Sequence, residues 1–257
     1  MERSLESKVV LLTGCASGIG AATVPVLLRE GAVVVATDID QARGEKLVRK
    51  LDELNPNRVI FQAHDVTDET SWMQAISVAQ DRYGGIDVII NNAGVLPALL
   101  ALEETSLEER RRVMAVSLDG LFLGVKHGLR SMKAKGGAIV NVSSVAGLVG
   151  MPLTGAYGPS KAGVLLLTKG AALEGAKFAN PVRVNAVHPG YIQTEMTSSI
   201  AEHFGTETFE RRVHRIVPLK RLGSPDQVAE AITFLASDRS QFTTGASLVV
   251  DGGWTAQ

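Results

Sequence analysis

Val9–Leu12 is the first of seven short runs made almost wholly of Val, Ile, Leu and Ala. The others are Val33–Ala36, Val59–Phe61, Val88–Ile90, Ala138–Val142, Val182–Val187 and Leu248–Val250. A strand with one wet face alternates apolar and polar residues, whereas a strand apolar at nearly every position is buried on both faces. Between the runs lie longer segments with helical spacing, among them Gln41–Leu54, Glu69–Tyr83, Leu107–Met132 and Val164–Phe178. Doubly buried strands alternating with helices imply a doubly wound α/β fold, a parallel sheet with helices on both faces. At 257 residues and 45% hydrophobic, the chain fits one such domain without disulfide or metal support. Its single cysteine, Cys15, permits no intrachain disulfide and fits a reducing compartment.

Charge narrows the partners. Lys+Arg is 26 and Asp+Glu 27, a net charge of −1, without the basic excess of a nucleic-acid or anionic-membrane binder. No apolar run approaches the ~18 residues of a membrane span, and Met1–Lys8 lacks the basic start and apolar stretch of a signal peptide. The expectation is a soluble cytoplasmic protein with a small-molecule partner. His64, His127, His188, His203 and His214 have no metal-ligand spacing and read as structural or surface residues. Only His188, before Pro189, falls near a candidate site. Ser224-Pro225-Asp226-Gln227 carries a capping box with Pro at the first helical position. Thr105 with Glu108, or Ser106 with Glu109, does the same for the long central helix. Arg110-Arg111-Arg112 reads as a solvated face of that helix. Thr194–Arg221 interrupts the alternation with a charged insertion, either a surface excursion or a lid over a ligand.

The first strand runs into Thr13-Gly14-Cys15-Ala16-Ser17-Gly18-Ile19-Gly20. Glycines at a strand-to-helix turn let the backbone curve tightly and let a pyrophosphate approach the helix N-terminus, whose N–H groups and dipole favour an anion. Eighteen positions past Gly20, at the end of the second strand, stands Asp38. A carboxylate there accepts hydrogen bonds from an adenosine ribose and repels a ribose phosphate, and no Lys or Arg lies in the loop or beside Asp38. NAD is therefore the cofactor expected over NADP; a strand-end Asp capping the next turn is the alternative reading. Cys15 reads either as a small loop residue or as a redox-sensitive thiol at a helix N-terminus.

Tyr157 and Lys161 are four residues apart, on one helix face. An ordinary phenol has a pKa near 10 and is a poor base at neutral pH. A neighbouring ammonium and a cofactor cation in a water-poor cleft can lower it, making Tyr157 an acid/base group for an alcohol and its carbonyl. Ser144 follows the strand Ala138–Val142, at the carboxyl edge where open α/β sheets bind ligands.

Taken in order, these residues resemble the short-chain dehydrogenase/reductase family. The resemblance spans nearly the whole chain: Thr13-Gly14-x3-Gly18-x-Gly20, Asp65-Val66, Asn91-Asn92-Ala93-Gly94, Ser144, Tyr157-x3-Lys161, Pro189-Gly190-x-Ile192-x-Thr194 and Asp251-Gly252-Gly253. It implies a single-domain Rossmann fold with a seven-stranded sheet and hydride transfer at a nicotinamide. It implies Tyr157 as acid/base, Lys161 tuning it and holding the nicotinamide ribose, and Ser144 orienting the substrate oxygen. Gly14, Ser17, Gly18, Ile19 and Gly20 would meet the pyrophosphate, and Asp65 and Val66 the adenine. Asn92, Ala93 and Gly94 would border the ribose; Pro189, Gly190, Ile192 and Thr194 would border the nicotinamide. A homotetramer built on the Leu107–Met132 and Tyr157–Phe178 helices is also implied. One position departs from the family pattern. Ser117, in Val116-Ser117-Leu118-Asp119-Gly120, replaces an Asn that helps bind a relay water behind the lysine.

Leu96, Leu148, Met151, Leu153, Tyr191 and Met196 are the expected substrate-pocket residues, and none carries a fixed charge. Arg211, Arg212 and Arg215 lie in the insertion and could fold inward, but are read first as solvated lid positions. A buried anion without a cationic partner is costly, so a neutral, hydrophobic secondary alcohol or its ketone is the expected substrate. A 3-oxoacyl carrier-protein reductase is the runner-up; that activity in the family usually takes NADPH, which Asp38 disfavours. A non-catalytic NAD-binding regulator is the third reading, against which Ser144, Tyr157 and Lys161 stand intact.

Overall fold

The computed structural model describes residues 3–256. All seven runs form strands: β1 (Val9–Thr13), β2 (Val33–Asp38), β3 (Val59–Ala63), β4 (Val88–Asn91), β5 (Gly137–Val142), β6 (Val182–Pro189) and β7 (Ser247–Val250). They make one sheet, β3-β2-β1-β4-β5-β6-β7, parallel throughout. Side chains alternate faces along a strand, so the apolar runs of the inner strands feed two cores. Val10, Leu12, Val34, Ile90 and Val140 pack under α1 (Gly18–Arg29), α2 (Gln41–Asp52) and α9 (Pro225–Ala236). Val9, Leu11, Val35, Ile89 and Ile139 pack under α3 (Glu69–Tyr83), α5 (Gly120–Met132) and α6 (Tyr157–Gly175). Each fully buried Leu, Ile or Val of these layers contributes roughly 1.5–3 kcal/mol. β1 has β2 on one side and β4 on the other. The crevice at this reversal of strand order is where doubly wound sheets bind ligands.

Two segments depart from the sequence reading. Leu107–Met132 is not one helix: α4 (Leu107–Met114) passes through a π turn, Ala115–Asp119, before α5 begins. The inserted turn puts fully buried Ser117 at its centre, and such turns cluster at functional sites. α6 begins at Tyr157, where the sequence reading opens it, with Pro159 tolerated in its first turn. The insertion folds as two helices, α7 (Glu195–Phe204) and α8 (Thr206–Ile216), joined at Gly205. Phe209, Val213 and Val217 give this pair its own small core against Tyr191 and Ile200. The Ser224–Gln227 capping box forms as read. Ser106 caps α4, while the Glu109 side chain turns to the Ala98 N–H and to Arg112.

Candidate active site

The cleft at the β1/β4 crevice is built by backbone conformation first. Gly14 and Gly18 have φ of +74° and +52°, a region L side chains rarely adopt. A Cβ on Gly20 would lie 1.9 Å from the Gly14 carbonyl oxygen. Gly20 is not among the residues that line the cleft; its bare backbone lets α1 close beneath the loop. Gly14, Ser17, Gly18 and Ile19 form one wall, with Asp38, Asp65 and Val66 beyond them; Asn92, Ala93, Gly94, Pro189, Gly190, Ile192 and Thr194 complete it. Thr13 ties the walls together, its Oγ1 accepting from the Asn92 and Ala93 N–H groups at 3.1 Å each. The Asn92 amide donates to the carbonyls of Thr13 and Gly14, at 3.0 Å each. Asp38 is held open to the cleft by N–H donors from Ala16 (2.8 Å) and Asp40 (2.9 Å). An extended anionic ligand fits this arrangement: glycines where Cβ atoms would intrude, a helix N-terminus beneath, and a fixed carboxylate for a diol at the far end.

Two side chains in this region turn out inert. Burial pushes the Cys15 thiol up to about 12, which leaves no reactive thiolate at neutral pH and fits the small-loop-residue reading. His64, buried edge-on to Trp72 at 4.4 Å, is pushed down to about 4 and stays neutral in the cleft wall.

β5 and α6 deliver the reactive groups. Ser143 Oγ donates to the Lys161 carbonyl at 2.9 Å, pinning α6 to the end of β5. Lys161 is 3% exposed, and its Nζ donates to the Val142 carbonyl at 3.0 Å while lying 5.6 Å from the Tyr157 ring centroid. Burial lowers its pKa to about 8. Burial also raises the Tyr157 phenol above its ordinary value, with a hydrogen bond to Ser144 drawing it back. In the chain alone the pair is thus phenol and ammonium; the lowering expected for Tyr157 requires a further cation. The loop of Ser144 is braced from behind by a residue whose role the sequence hid. His188 Nδ1 meets the Ser144 carbonyl and Nε2 meets Ser247 Oγ, both at 3.1 Å. Ser117 Oγ is buried without a hydrogen-bond partner. A Cβ placed on Gly94 would lie 3.8 Å from that oxygen and 3.6 Å from Lys161 Nζ, so the two groups flank one glycine.

A cavity of about 350 Å³ opens from Ser144 and Tyr157, away from the glycine loop. Leu96, Met151, Leu153, Tyr191 and Met196 line it; Leu148 does not. The short 3-10 turn Val145–Gly147 carries Leu148 into a neighbouring groove with Leu102 and Ala162. Phe204, Trp254 and Arg212 complete the wall. Of the three arginines read as solvated, Arg211 and Arg215 are exposed, but Arg212 turns inward. Its spacing of three from Phe209 and the helix pairing of α7 with α8 put it on the inner side. Among the described residues no His/Cys/Asp/Glu group could hold a metal, and no helix is long and apolar enough to cross a membrane.

Comparison with known proteins places this geometry. A family model described as enoyl-(acyl carrier protein) reductase matches residues 14–255. An NADP-dependent (R)-specific alcohol dehydrogenase of Lentilactobacillus kefiri is 39% identical over the whole of both chains. The chain belongs to the short-chain dehydrogenase/reductase family. Within it, a trans-4-hydroxycyclohexanecarboxylate dehydrogenase of Sinomonas cyclohexanicum is 40% identical over 97% of this chain and 93% of that one. The crystal structure of levodione reductase superposes with a TM-score of 0.93 at 31% identity, covering 98% and 99% of the two chains. Cyclohexanol and cyclopentanol dehydrogenases and a 3-oxoacyl-[acyl-carrier-protein] reductase are further relatives. Like other short-chain dehydrogenases, the protein is an alcohol–ketone oxidoreductase that uses a nicotinamide dinucleotide.

Proposed function

We propose that this chain is an NAD-dependent dehydrogenase that interconverts a hydrophobic, ring-sized secondary alcohol and its ketone. The observation that carries this reading is one apolar cavity with Ser144 and Tyr157 in its wall, opening beside the dinucleotide cleft. The dinucleotide, when bound, supplies the hydride acceptor or donor. The residues do the rest. Ser144 Oγ hydrogen-bonds the substrate oxygen and fixes which face of the carbon meets the cleft. Tyr157 takes the hydroxyl proton during oxidation and returns it during reduction. Lys161 stabilises the phenolate and is placed to hold the nicotinamide ribose. Ser117, with its unpartnered Oγ near Lys161, passes the proton onward. Ser117→Ala is expected to lower kcat more than it weakens dinucleotide binding, by stopped-flow against fluorescence titration; an unchanged kcat removes Ser117 from the proton path.

Asp38 supports NAD over NADP. Its carboxylate is fixed by two N–H donors and would face the extra phosphate of NADP at close range. The Lentilactobacillus kefiri relative is an NADP-dependent enzyme, so the choice here rests on Asp38. The measurement is kcat/KM with both dinucleotides. A preference for NAD of about 100-fold or more is expected, from a like-charge clash of several kcal/mol, and Asp38→Ser should narrow it. Preference for NADP by the unaltered chain sinks the assignment. The carrier-protein reductase remains the second reading because a relative of that name is 41% identical over 97% of this chain; Asp38 weighs against it. A purely regulatory role is disfavoured by the complete Ser144, Tyr157 and Lys161 set.

A homotetramer is also proposed. Phe122 on α5 and Leu166 and Leu173 on α6 are 48%, 70% and 70% exposed, on the helices expected to form its contacts. Sedimentation at the mass of four chains is the expected outcome. A cytoplasmic location fits the single, buried cysteine.

A further inference from the structure

The cavity that would receive the reacting alcohol has one fixed charge in its wall, the guanidinium of Arg212, and no Asp or Glu lines it. Arg212 Nε is buried without a hydrogen-bond partner. Of the acids on α7 and α8, Glu207 pairs with Arg211 and Glu195 with Arg43, while Glu202 and Glu210 are exposed and do not line the cavity. What holds Arg212 is the Tyr191 hydroxyl, through a hydrogen bond. Tyr191 is itself clamped, stacked on Trp254 at 4.9 Å and edge-on to Phe209 at 5.0 Å. The cation is therefore positioned by a locked phenol instead of neutralised by a counter-charge. A cation in an apolar chamber is costly until an anion completes it. A guanidinium fork matches a carboxylate through two parallel hydrogen bonds.

We propose that Arg212 is a specificity-determining residue that binds a carboxylate on the substrate. The substrate class is then an alicyclic or similarly compact hydroxy or oxo monocarboxylate. Its hydroxyl or carbonyl lies against Ser144 and Tyr157, and its acid group reaches the α8 side of the same chamber. The apolar side chains between, Leu96, Met151, Leu153 and Met196, hold the hydrocarbon. One guanidinium balances one negative charge, so a monocarboxylate fits where a phosphate dianion would stay half paired. This rests on the dehydrogenase reading above and replaces the neutral alcohol expected when Arg212 was placed in solvent.

The test compares 4-hydroxycyclohexanecarboxylate, its methyl ester and cyclohexanol as substrates of the full chain with NAD. The acid is expected to exceed the ester in kcat/KM by about 100-fold, the scale of losing one partner of a buried charge pair. Arg212→Met should collapse that ratio to near one, and Arg212→Lys, which keeps the charge but not the fork, should retain part of it. Ester and acid used equally well, or a ratio that survives Arg212→Met, overturns the proposal. If none of the alcohols is oxidised, the dehydrogenase reading fails and Arg212 is judged by binding. Calorimetric titration with cyclohexanecarboxylate and cyclohexanecarboxamide then decides: acid-selective binding lost in Arg212→Met supports the carboxylate site, and equal or no binding overturns it.

Discussion

Tyr157→Phe is expected to lower kcat by about 10³-fold, within the range general acid–base catalysis supplies, while dinucleotide affinity stays within a few-fold. Phenylalanine keeps the ring beside Lys161 and removes only the hydroxyl, whose hydrogen-bond partner is Ser144. The fold should hardly notice, because no strand or helix contact depends on that oxygen. Single-turnover absorbance at the reduced-nicotinamide band and a fluorescence titration separate the two effects. A mutant with more than a few per cent of the original kcat would force the acid/base role onto another group. The pH dependence has a definite sign. Oxidation needs the phenolate, and burial holds the phenol above its ordinary value. Oxidation kcat/KM should therefore rise with pH, and reduction, which needs the phenol, should fall as pH rises. Both trends should vanish in Tyr157→Phe.

The strands were legible because β1, β2, β4 and β5 are buried on both faces, and burial on both faces leaves almost no freedom in residue type. The same logic explains what was not legible. A π turn adds one residue to a helix without changing its composition, so Leu107–Met132 reads as continuous and Ser117 is not seen to point inward. The start of α6 was legible from the four-residue spacing of Tyr157 and Lys161, although its polar first turn precedes the apolar stripe. Leu148 and Arg212 were misplaced for one shared reason. Each sits beyond a local turn, the 3-10 turn at Val145–Gly147 and the α7–α8 junction at Gly205, and a turn decides side-chain direction through tertiary packing. Arg212 has charged neighbours in sequence, Arg211 and Arg215, that are exposed; only the packing of Phe209 and Val213 beneath α8 selects which arginine turns in. His188 was flagged by its place before Pro189, yet its partners, the Ser144 carbonyl and Ser247 Oγ, come from two other strand ends.

Lys161→Met should make the protein both less active and more stable. Lys161 is 3% exposed, and burial moves its pKa from 10.5 to about 8. A cation whose folded pKa lies below its unfolded value costs stability wherever it is charged in both states, and the cost falls with rising pH where the unfolded chain holds more protons. That cost is full below pH 8 and disappears as pH rises from about 8 to 10.5. Methionine has nearly the same length and no charge, so at pH 7 the mutant gains the burial cost, on the order of 3 kcal/mol. It loses the hydrogen bond to the Val142 carbonyl, which offsets about 1 kcal/mol. The expected net gain is roughly 1–2 kcal/mol, which for a chain of this length raises Tm by about 2–8 °C. The gain should shrink as pH climbs through the window between 8 and 10.5. Activity moves the other way. Removing one preorganised cationic donor from an acid/base pair typically costs about 10²–10³ in kcat, and Tyr157 would be left in a chamber that raises its pKa with no ammonium to oppose it. Thermal unfolding at pH 7 and pH 10, with kcat measured on the same samples, checks both halves. A mutant that is less stable at pH 7 would mean that the Lys161 ammonium stabilises the fold, and one that keeps its kcat would mean that Tyr157 works without it.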